Sequence, residues 1–385
     1  MLKVAIIGTG NISPMHIEGY LAFPQRCEIV ALCDIVPVKC LQIKEKNKLN
    51  DAVIYDSHKA LLEGTDFDLV SICTPPFNHA EITIDCLNAG KHVIVEKPMA
   101  ASLRECDEMI AAAEANGKLL SVVAQNRFRG PIWNLKRLID SGMIGKLVHA
   151  QIDSHWWRGH SYYDLWWRGL WDKEGGGCTL NHAVHHIDML GWIMGLPEET
   201  CAMLTNVSHD NAEVEDLSVA VMRYKDGALA QVTSSVVNHG EEQQIVFNGE
   251  KARVSAPWRV VSQRPQPNGH PVANPEFEAE VEKFYNTLPE VEYEGHIGQI
   301  DDVLTAIETG GLPLIGGNEG RLTIELITAI YKAGTEGRFI SLPIAKDDTF
   351  YTVEGIQASV PKFYEKTTSV DDLYGDITHG SNYKY

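Results

Sequence analysis

The sequence predicts an α/β protein in two parts: an N-terminal doubly wound parallel sheet of the Rossmann type, and a C-terminal α+β domain with a large, mostly antiparallel open sheet. Three observations carry this. Between Lys3 and about Val123, short continuous apolar runs (KVAIIG, EIVALCD, DLVSICT, HVIVEK and LLSVVA) alternate with helix-like segments. A strand that is apolar at nearly every position is covered on both faces, as in a parallel sheet wrapped by helices. After Phe128 the texture changes to β-branched segments, LVHAQIDSHW, LSVAVMRYKDGALAQVTSSVV and QQIVFNGEKARVSA, which contain Asp226-Gly227 and Asn248-Gly249. Both dipeptides favour tight hairpin turns. Finally, 385 residues favour two domains over one.

Taken in order, MLKVAIIGTGN is too short and lacks the small-residue cleavage site of a signal peptide, so it reads as the first strand. No run approaches the ~18 apolar residues of a membrane span. Helical spacing covers 36–48, 79–89 and 102–116, with Gly90 and Gly117 placed as helix stops. Two late helical patterns, IGQIDDVLTAIETG and NEGRLTIELITAIYKAGTEG, are expected to pack on a sheet or return to the first domain. The expected divisions are 1–124 for the nucleotide-binding domain, 125–345 for the second domain, and 346–385 for a polar tail of weak periodicity.

Composition narrows the partners. Fifty-two acidic residues against 33 basic ones give a formal net charge of -19, which repels nucleic-acid phosphates and anionic membranes. Neither is expected to bind. The eight cysteines form no CxxC pair, and several, such as Cys33 and Cys73, lie inside apolar runs where a free thiol is a small core hydrophobe. A reduced, cytoplasmic protein is expected.

The first chemical signal is Gly8-Thr9-Gly10-Asn11-Ile12-Ser13, between a strand and a helix. Glycines at Gly8 and Gly10 allow a tight turn and close backbone approach to a pyrophosphate, which then meets the free N–H groups at Asn11, Ile12 and the helix start. Asp34 ends the second run, where a carboxylate accepts from ribose hydroxyls and repels a 2′-phosphate. The cofactor expected is therefore NAD. Thr74-Pro75-Pro76-Phe77-Asn78-His79 and Glu96-Lys97-Pro98 follow two further strands, at the carboxyl ends where open α/β sheets bind ligands.

These segments, together with Gly175-Gly176-Gly177 followed by Asn181, His185 and Asp188, occur in an order and spacing that resembles the Gfo/Idh/MocA family of oxidoreductases. The resemblance runs to about Pro343. It implies a Rossmann domain, an active site at its junction with an open-sheet domain, and an EKP lysine, Lys97, beside the nicotinamide. It also implies Thr74, Pro75, Asn78, His79, Glu96, Gln125, Trp167 and Arg168 as cofactor contacts, and Arg127, Trp157, Trp166, Asn181, His185 and His296 around the substrate. The family carries an aspartate where this chain has Asn181. That leaves His185 as the expected proton acceptor, with Lys97 orienting the hydroxyl and Asn181 assisting as an amide.

On one continuous helix, Asn181, His185 and Asp188 would share a face. A metal site of His182, His185, His186 and Asp188 is set aside, because adjacent His185 and His186 point to different helix faces; no metal is expected. His182, His186 and Asp188 read as structural. Trp156, Trp157, Trp166, Trp167 and Trp171 interleave with Arg158, Tyr162 and Arg168, a texture that suggests a loop over the active site rather than core alone. The expected activity is NAD-dependent hydride transfer at a secondary hydroxyl of a sugar, glycoside or polyol, with the 3-hydroxyl of a pyranoside as lead substrate position from the WWRG and EGGG resemblance. An NAD-using glycosidase and a non-catalytic sugar-binding regulator are the rivals. A homodimer or homotetramer formed through the second domain is expected.

Overall fold

The computed structural model describes residues 1–371, which fall into two compact units. The first comprises Met1–Phe128 and Glu292–Ile324, and the second comprises Arg129–Val291 and the chain from Glu325 onward.

In the first unit the continuous apolar runs form β1 (Leu2–Ile7), β2 (Cys27–Cys33), β3 (Val53–Tyr55), β4 (Leu69–Ile72), β5 (His92–Val95) and β6 (Leu120–Val122). The strand order is β3-β2-β1-β4-β5-β6, parallel throughout. The order in which strands are added reverses between β1 and β4, the switch point where such sheets bind ligands. The connecting helices are α1 (Ser13–Leu21), α2 (Pro37–Asn47), α3 (His58–Gly64), α4 (His79–Asn88) and α5 (Leu103–Asn116). Gly117 caps α5 with φ +57.

The second unit holds α6 (Gly130–Asp140), β7 (Leu147–His155), α7 (Cys178–Asn181), α8 (Val184–Met194), β8 (Glu199–Thr205), β9 (Leu217–Arg223), β10 (Leu229–Ser235), β11 (Gln243–Gly249), β12 (Ala252–Ala256), β13 (Arg259–Pro265), β14 (Pro271–Ala273) and α9 (Pro275–Thr287). Late in the chain, α10 (Gly295–Thr309) belongs to the first unit, while α11 (Gly317–Glu336) divides between the units after Ile324. They are followed by β15 (Ile340–Ser341) and α12 (Val353–Ser359) in the second unit. Its nine-stranded sheet runs β14-β13-β12-β11-β7-β10-β9-β8-β15, and only the β7–β10 pair is parallel. On β9, Ser218, Ala220 and Met222 are buried while Val219, Val221 and Arg223 are exposed, the alternation of a sheet covered on one face.

Three expectations change. The expected 125–345 division misses α10, which returns to the first unit: Ile300 of α10 lies so close to α1 that a Cβ on Gly19 would fall 2.3 Å from its Cδ1. Asp226-Gly227 makes the β9–β10 turn, with Gly227 at φ +90. Asn248-Gly249, however, ends β11, and the hairpin turns beyond it at Glu250 and Lys251. Gly249 is small because a Cβ there would meet Ile144 O at 2.4 Å. The segment after 346 is not a bare tail either: Val370 accepts from Trp166 N at 2.9 Å, and Asn211 Oδ1 accepts from Thr367 and Thr368 N. The tail's residues 372–385 lie outside the described part.

Candidate active site

In the first unit, the expected cofactor residues gather at the carboxyl ends of the strands. Gly8 ends β1 with φ +89, and a Cβ on it would sit 2.7 Å from the Cys73 carbonyl beyond β4. Gly10 differs: nothing lies within 4 Å of where its Cβ would be. The first glycine allows the strands to approach, and the second leaves an open cradle before α1. No side chain caps the start of α1 and no acid occupies its first turn; Ser13 N and Met15 N are taken by Gly10 O and Ile12 O, so the helix dipole and the open turn before it are what favour an anion here. These residues fit a dinucleotide pyrophosphate.

Asp34 follows β2, half-buried, and its Oδ2 accepts from Thr9 N at 2.8 Å and Thr9 Oγ1 at 3.0 Å. Its Oδ1 accepts from Val36 N at 2.9 Å. The glycine-rich turn thus orients this carboxylate, the one expected to read the ribose. Thr74, Pro75 and Asn78 lie half-buried after β4. His79 is fully buried, with Nδ1 2.8 Å from Pro98 O and Nε2 2.8 Å from Thr74 O. Burial lowers its pKa, so the neutral ring carries one hydrogen and donates to one of these two carbonyls.

Glu96 ends β5 in a buried cluster. His16 Nε2 lies 2.9 Å and His296 Nε2 3.4 Å from Glu96 Oε1, and Lys97 N donates to Oε2 at 3.1 Å. Burial alone would raise the Glu96 pKa, but hydrogen bonds from His16 and His296 outweigh it and hold the carboxyl well below its usual range. The Lys97 side chain is half-buried. Gln125 and Arg127 follow β6; Gln125 is half-buried, whereas Arg127 is buried at 1% exposure. Sequence reasoning missed His16 because nothing marks a histidine one turn into a helix until the fold sets it against Glu96.

In the second unit, the segment carrying Asn181 and His185 is not one helix. Ala183 N reaches back to Cys178 O, α7 ends at Asn181, and α8 starts at Val184. Asn181 and His185 are half-buried, on either side of this break, while His182, His186 and Asp188 are buried. The continuous helix on which that shared face was expected is therefore interrupted by His182 and Ala183, both still in the right-handed helical region. Burial pushes the His186 pKa down to about 3, helped by His155, so it is a neutral core histidine. Among the described residues, no group of His, Cys, Asp or Glu near enough to share an ion includes His182, His185 or His186.

The triple glycine has a packing cause. A Cβ on Gly176 would fall 2.1 Å from Tyr331 Oη, and one on Gly177 2.0 Å from Glu215 O. Glu215 is fully buried; it accepts from Gly177 N, Thr179 N and Tyr331 Oη at 3.0–3.1 Å, holding the start of α7.

The tryptophans split. Trp156 and Trp171 are core, at 6% and 2% exposure, and Trp171 packs edge-on against Tyr331. Trp157 and Trp166 stand open at 45% and 38%, with Trp157 stacked on His239. The Arg168 guanidinium lies over the rings of Tyr162 and Trp167 at 4.2 and 4.3 Å and pairs with Glu174 at 3.1 Å. Burial pushes the Glu174 carboxyl up to about 7 against the pull of Arg168.

Family models match both parts of the chain: an oxidoreductase-family NAD-binding Rossmann fold over residues 2–124, and the GFO/IDH/MocA C-terminal domain over 132–255. The chain belongs to the Gfo/Idh/MocA family. It is an oxidoreductase, and NAD is its cofactor. Among relatives, myo-inositol 2-dehydrogenase of Thermotoga maritima is 25% identical over 351 residues, 89% of this chain and 98% of that protein. D-glucoside 3-dehydrogenase of Escherichia coli is 25% identical over 65% of this chain and 76% of that one. The WlbA dehydrogenase of Bordetella pertussis, solved with NADH and UDP-GlcNAcA, superposes with a TM-score of 0.77 at 28% identity, covering 89% of this chain and 98% of that one. Among the described residues no helix is long and apolar enough to cross a membrane.

The two glycines and Asp34 give a prediction. Gly10→Ala is expected to fold normally yet lose NAD affinity by tenfold or more, about 1.4 kcal/mol, because its methyl enters the open cradle and touches no protein atom. Asp34→Ala is expected to narrow a preference for NAD over NADP. Fluorescence titration with both cofactors checks this; equal wild-type affinities would refute the role of Asp34.

Proposed function

We propose that the protein oxidises a secondary hydroxyl of a sugar, glycoside or polyol, or reduces the corresponding ketone, with the 3-hydroxyl of a pyranoside as the leading position. The supporting observation is Lys97 at the end of β5 in the NAD-binding unit, its backbone fixed through Glu96. The sugar and polyol dehydrogenases among the relatives, including the glucoside 3-dehydrogenase, favour this substrate class.

Oxidation of a carbinol breaks the C–H bond with its electron pair and the O–H bond with its proton. NAD, when bound, accepts the hydride. The proton and the developing alkoxide charge fall to side chains. We assign the cation that orients the hydroxyl to Lys97, proton acceptance to His185 and a supporting hydrogen bond to Asn181. Gly8, Gly10, Asn11, Ile12 and Asp34 hold the cofactor, with Thr74, Pro75, Asn78, His79, Glu96, Lys97, Gln125, Trp167 and Arg168 as further contacts. Arg127, His296, Trp157 and Trp166 complete the substrate set.

A panel of sugars, glycosides and polyols with NAD, followed by NADH absorbance and NMR of the oxidised carbon, tests the reading. Net NADH formation supports it; glycoside cleavage without net redox change would transfer the protein to the NAD-using glycosidases, and no conversion with any member would leave a binding protein.

The tryptophan series separates packing from recognition. A pyranose offers apolar C–H faces and a rim of hydroxyls, which flat aromatic surfaces with a few polar groups can read. Trp157→Ala or Trp166→Ala is expected to keep fold and NAD affinity while losing sugar turnover. Trp171→Ala is expected to cost roughly 3–5 kcal/mol of stability. Melting temperature, NAD affinity and kcat/KM are the readouts. Loss of activity only in proportion to folded protein, for every variant, would place the substrate reader elsewhere.

The open face of the nine-stranded sheet supports a homo-oligomer. Met203 pairs with Val219, Cys201 with Val221 and Arg223 with Leu229 across neighbouring strands, and Met203, Val219, Val221 and Leu229 are all exposed. A contiguous apolar patch of this kind marks an association surface. Light scattering at micromolar concentration is expected to give a dimer or tetramer, and Val221→Lys to shift it toward monomer. A monomer in the wild type refutes it.

A further inference from the structure

Lys97 is gripped on both sides by buried histidines that no mechanism so far uses. On the amino side, the ionised Glu96 carboxylate has no proton to give, so His16 Nε2, 2.9 Å from Oε1, carries the hydrogen of that contact. Burial keeps the His16 pKa low, which favours the neutral ring. Its Nδ1, 3.0 Å from Ser71 Oγ, is then the acceptor, and Tyr20 Oη donates to Ser71 Oγ at 2.7 Å. The hydrogen bonds run in one direction, from Tyr20 through Ser71 and His16 to Glu96, whose other oxygen takes the Lys97 N–H.

On the carboxyl side, Pro98 O lies 2.8 Å from Nδ1 of His79 and Thr74 O 2.8 Å from its Nε2; burial keeps this ring neutral too, and with its one hydrogen on Nδ1 it donates to Pro98 O. His16 stands on α1, behind the glycine-rich turn, and His79 opens α4. The two histidines therefore anchor the EKP segment to the two loops that flank the switch point. Buried networks of this kind also stabilise folds in general. What sets this one apart is that both arms close on the residues immediately before and after one lysine.

We propose that His16 and His79 are positioning residues for Lys97: by fixing the Glu96 carboxylate and the Pro98 carbonyl, they hold the backbone between them so that its ammonium is presented in one orientation and one environment. This rests on the reading of Lys97 as the cation of the reaction, but its test requires neither substrate nor NAD. The full chain and its variants are treated with trace trinitrobenzenesulfonate, and the labelling rate at each lysine is read by peptide mass spectrometry. His16→Leu and His79→Leu are expected to change the Lys97 rate about threefold or more, since one unit of ammonium pKa alters the reactive amine fraction tenfold. Lys3, Lys91 and Lys118 of the same unit are expected to keep their rates.

His16→Gln, whose amide can donate to Glu96 in place of Nε2, is expected to restore the wild-type Lys97 rate. Should His16→Leu not fold, Ser71→Ala, which removes the donor to His16 Nδ1, replaces it with the same expected direction. An unchanged Lys97 rate in a folded variant overturns the proposal. So does a rate that moves together with the other lysines, or a glutamine variant no better than leucine. A chain that converts no sugar yet passes this test would refute the dehydrogenase reading alone.

Discussion

Lys97→Ala is expected to reduce turnover by about 10³-fold or more while NAD still binds. The cofactor's expected anchors, the Gly8–Ser13 turn and Asp34, are tied to each other through Thr9 and make no use of the lysine. In the role proposed for Lys97, what disappears is the charge that orients the hydroxyl and stabilises it as its proton leaves, an effect realised only as the reaction proceeds, so kcat is expected to fall more than KM rises. His185→Ala is expected to lose less, on the order of 10²-fold. Steady-state kinetics on the best substrate of the panel, beside an NAD titration, check both. Near-normal turnover in either variant removes that residue from the mechanism.

How much of this was legible in the sequence depends on whether the signal is local. The runs KVAIIG, EIVALCD, DLVSICT and HVIVEK became β1, β2, β4 and β5 because strands covered on both faces need only be apolar, which a few adjacent residues reveal. The short β3, Val-Ile-Tyr, has no such run and emerged only from pairing with β2. Asn248-Gly249 misled for a physical reason: the glycine that suggests a turn is also the residue that admits Ile144 O, and the dipeptide alone does not distinguish a positive φ from a close approach.

The site divides in the same way. Gly8, Asp34 and Lys97 are marked by position at strand ends, and in the fold they follow β1, β2 and β5. The partners that hold them are distant in sequence: His16 and His296 meet Glu96 across 80 and 200 residues. Spacing along Asn181, His185 and Asp188 assumed an unbroken helix, whereas Ala183 N bonds back to Cys178 O and the start of α7 is held by Glu215. No local pattern encodes that acid's role.

That anchoring of α7 is the basis of the last expected result. Gly177→Ala is expected to destabilise the second unit by about 3 kcal/mol or more. Gly177 has φ -95, so backbone conformation does not demand glycine; space does. The new methyl would stand 2.0 Å from Glu215 O and 2.8 Å from its Oε2. Neither atom can yield cheaply. The carbonyl already accepts from Cys178 N at 3.2 Å, and the carboxylate, whose pKa burial raises, is held by Gly177 N, Thr179 N and Tyr331 Oη. Moving α7 away to relieve the clash strips a buried acid of its donors. Gly175→Ala meets a different problem, its φ of +83, and is expected to cost only about 1–2 kcal/mol. All eight tryptophans lie within 129–291, in the second unit, so urea titration followed by tryptophan fluorescence reads that unit alone. A Gly177→Ala transition no lower than that of Gly175→Ala would show that α7 can shift freely, and that Glu215 does not anchor the segment carrying Asn181.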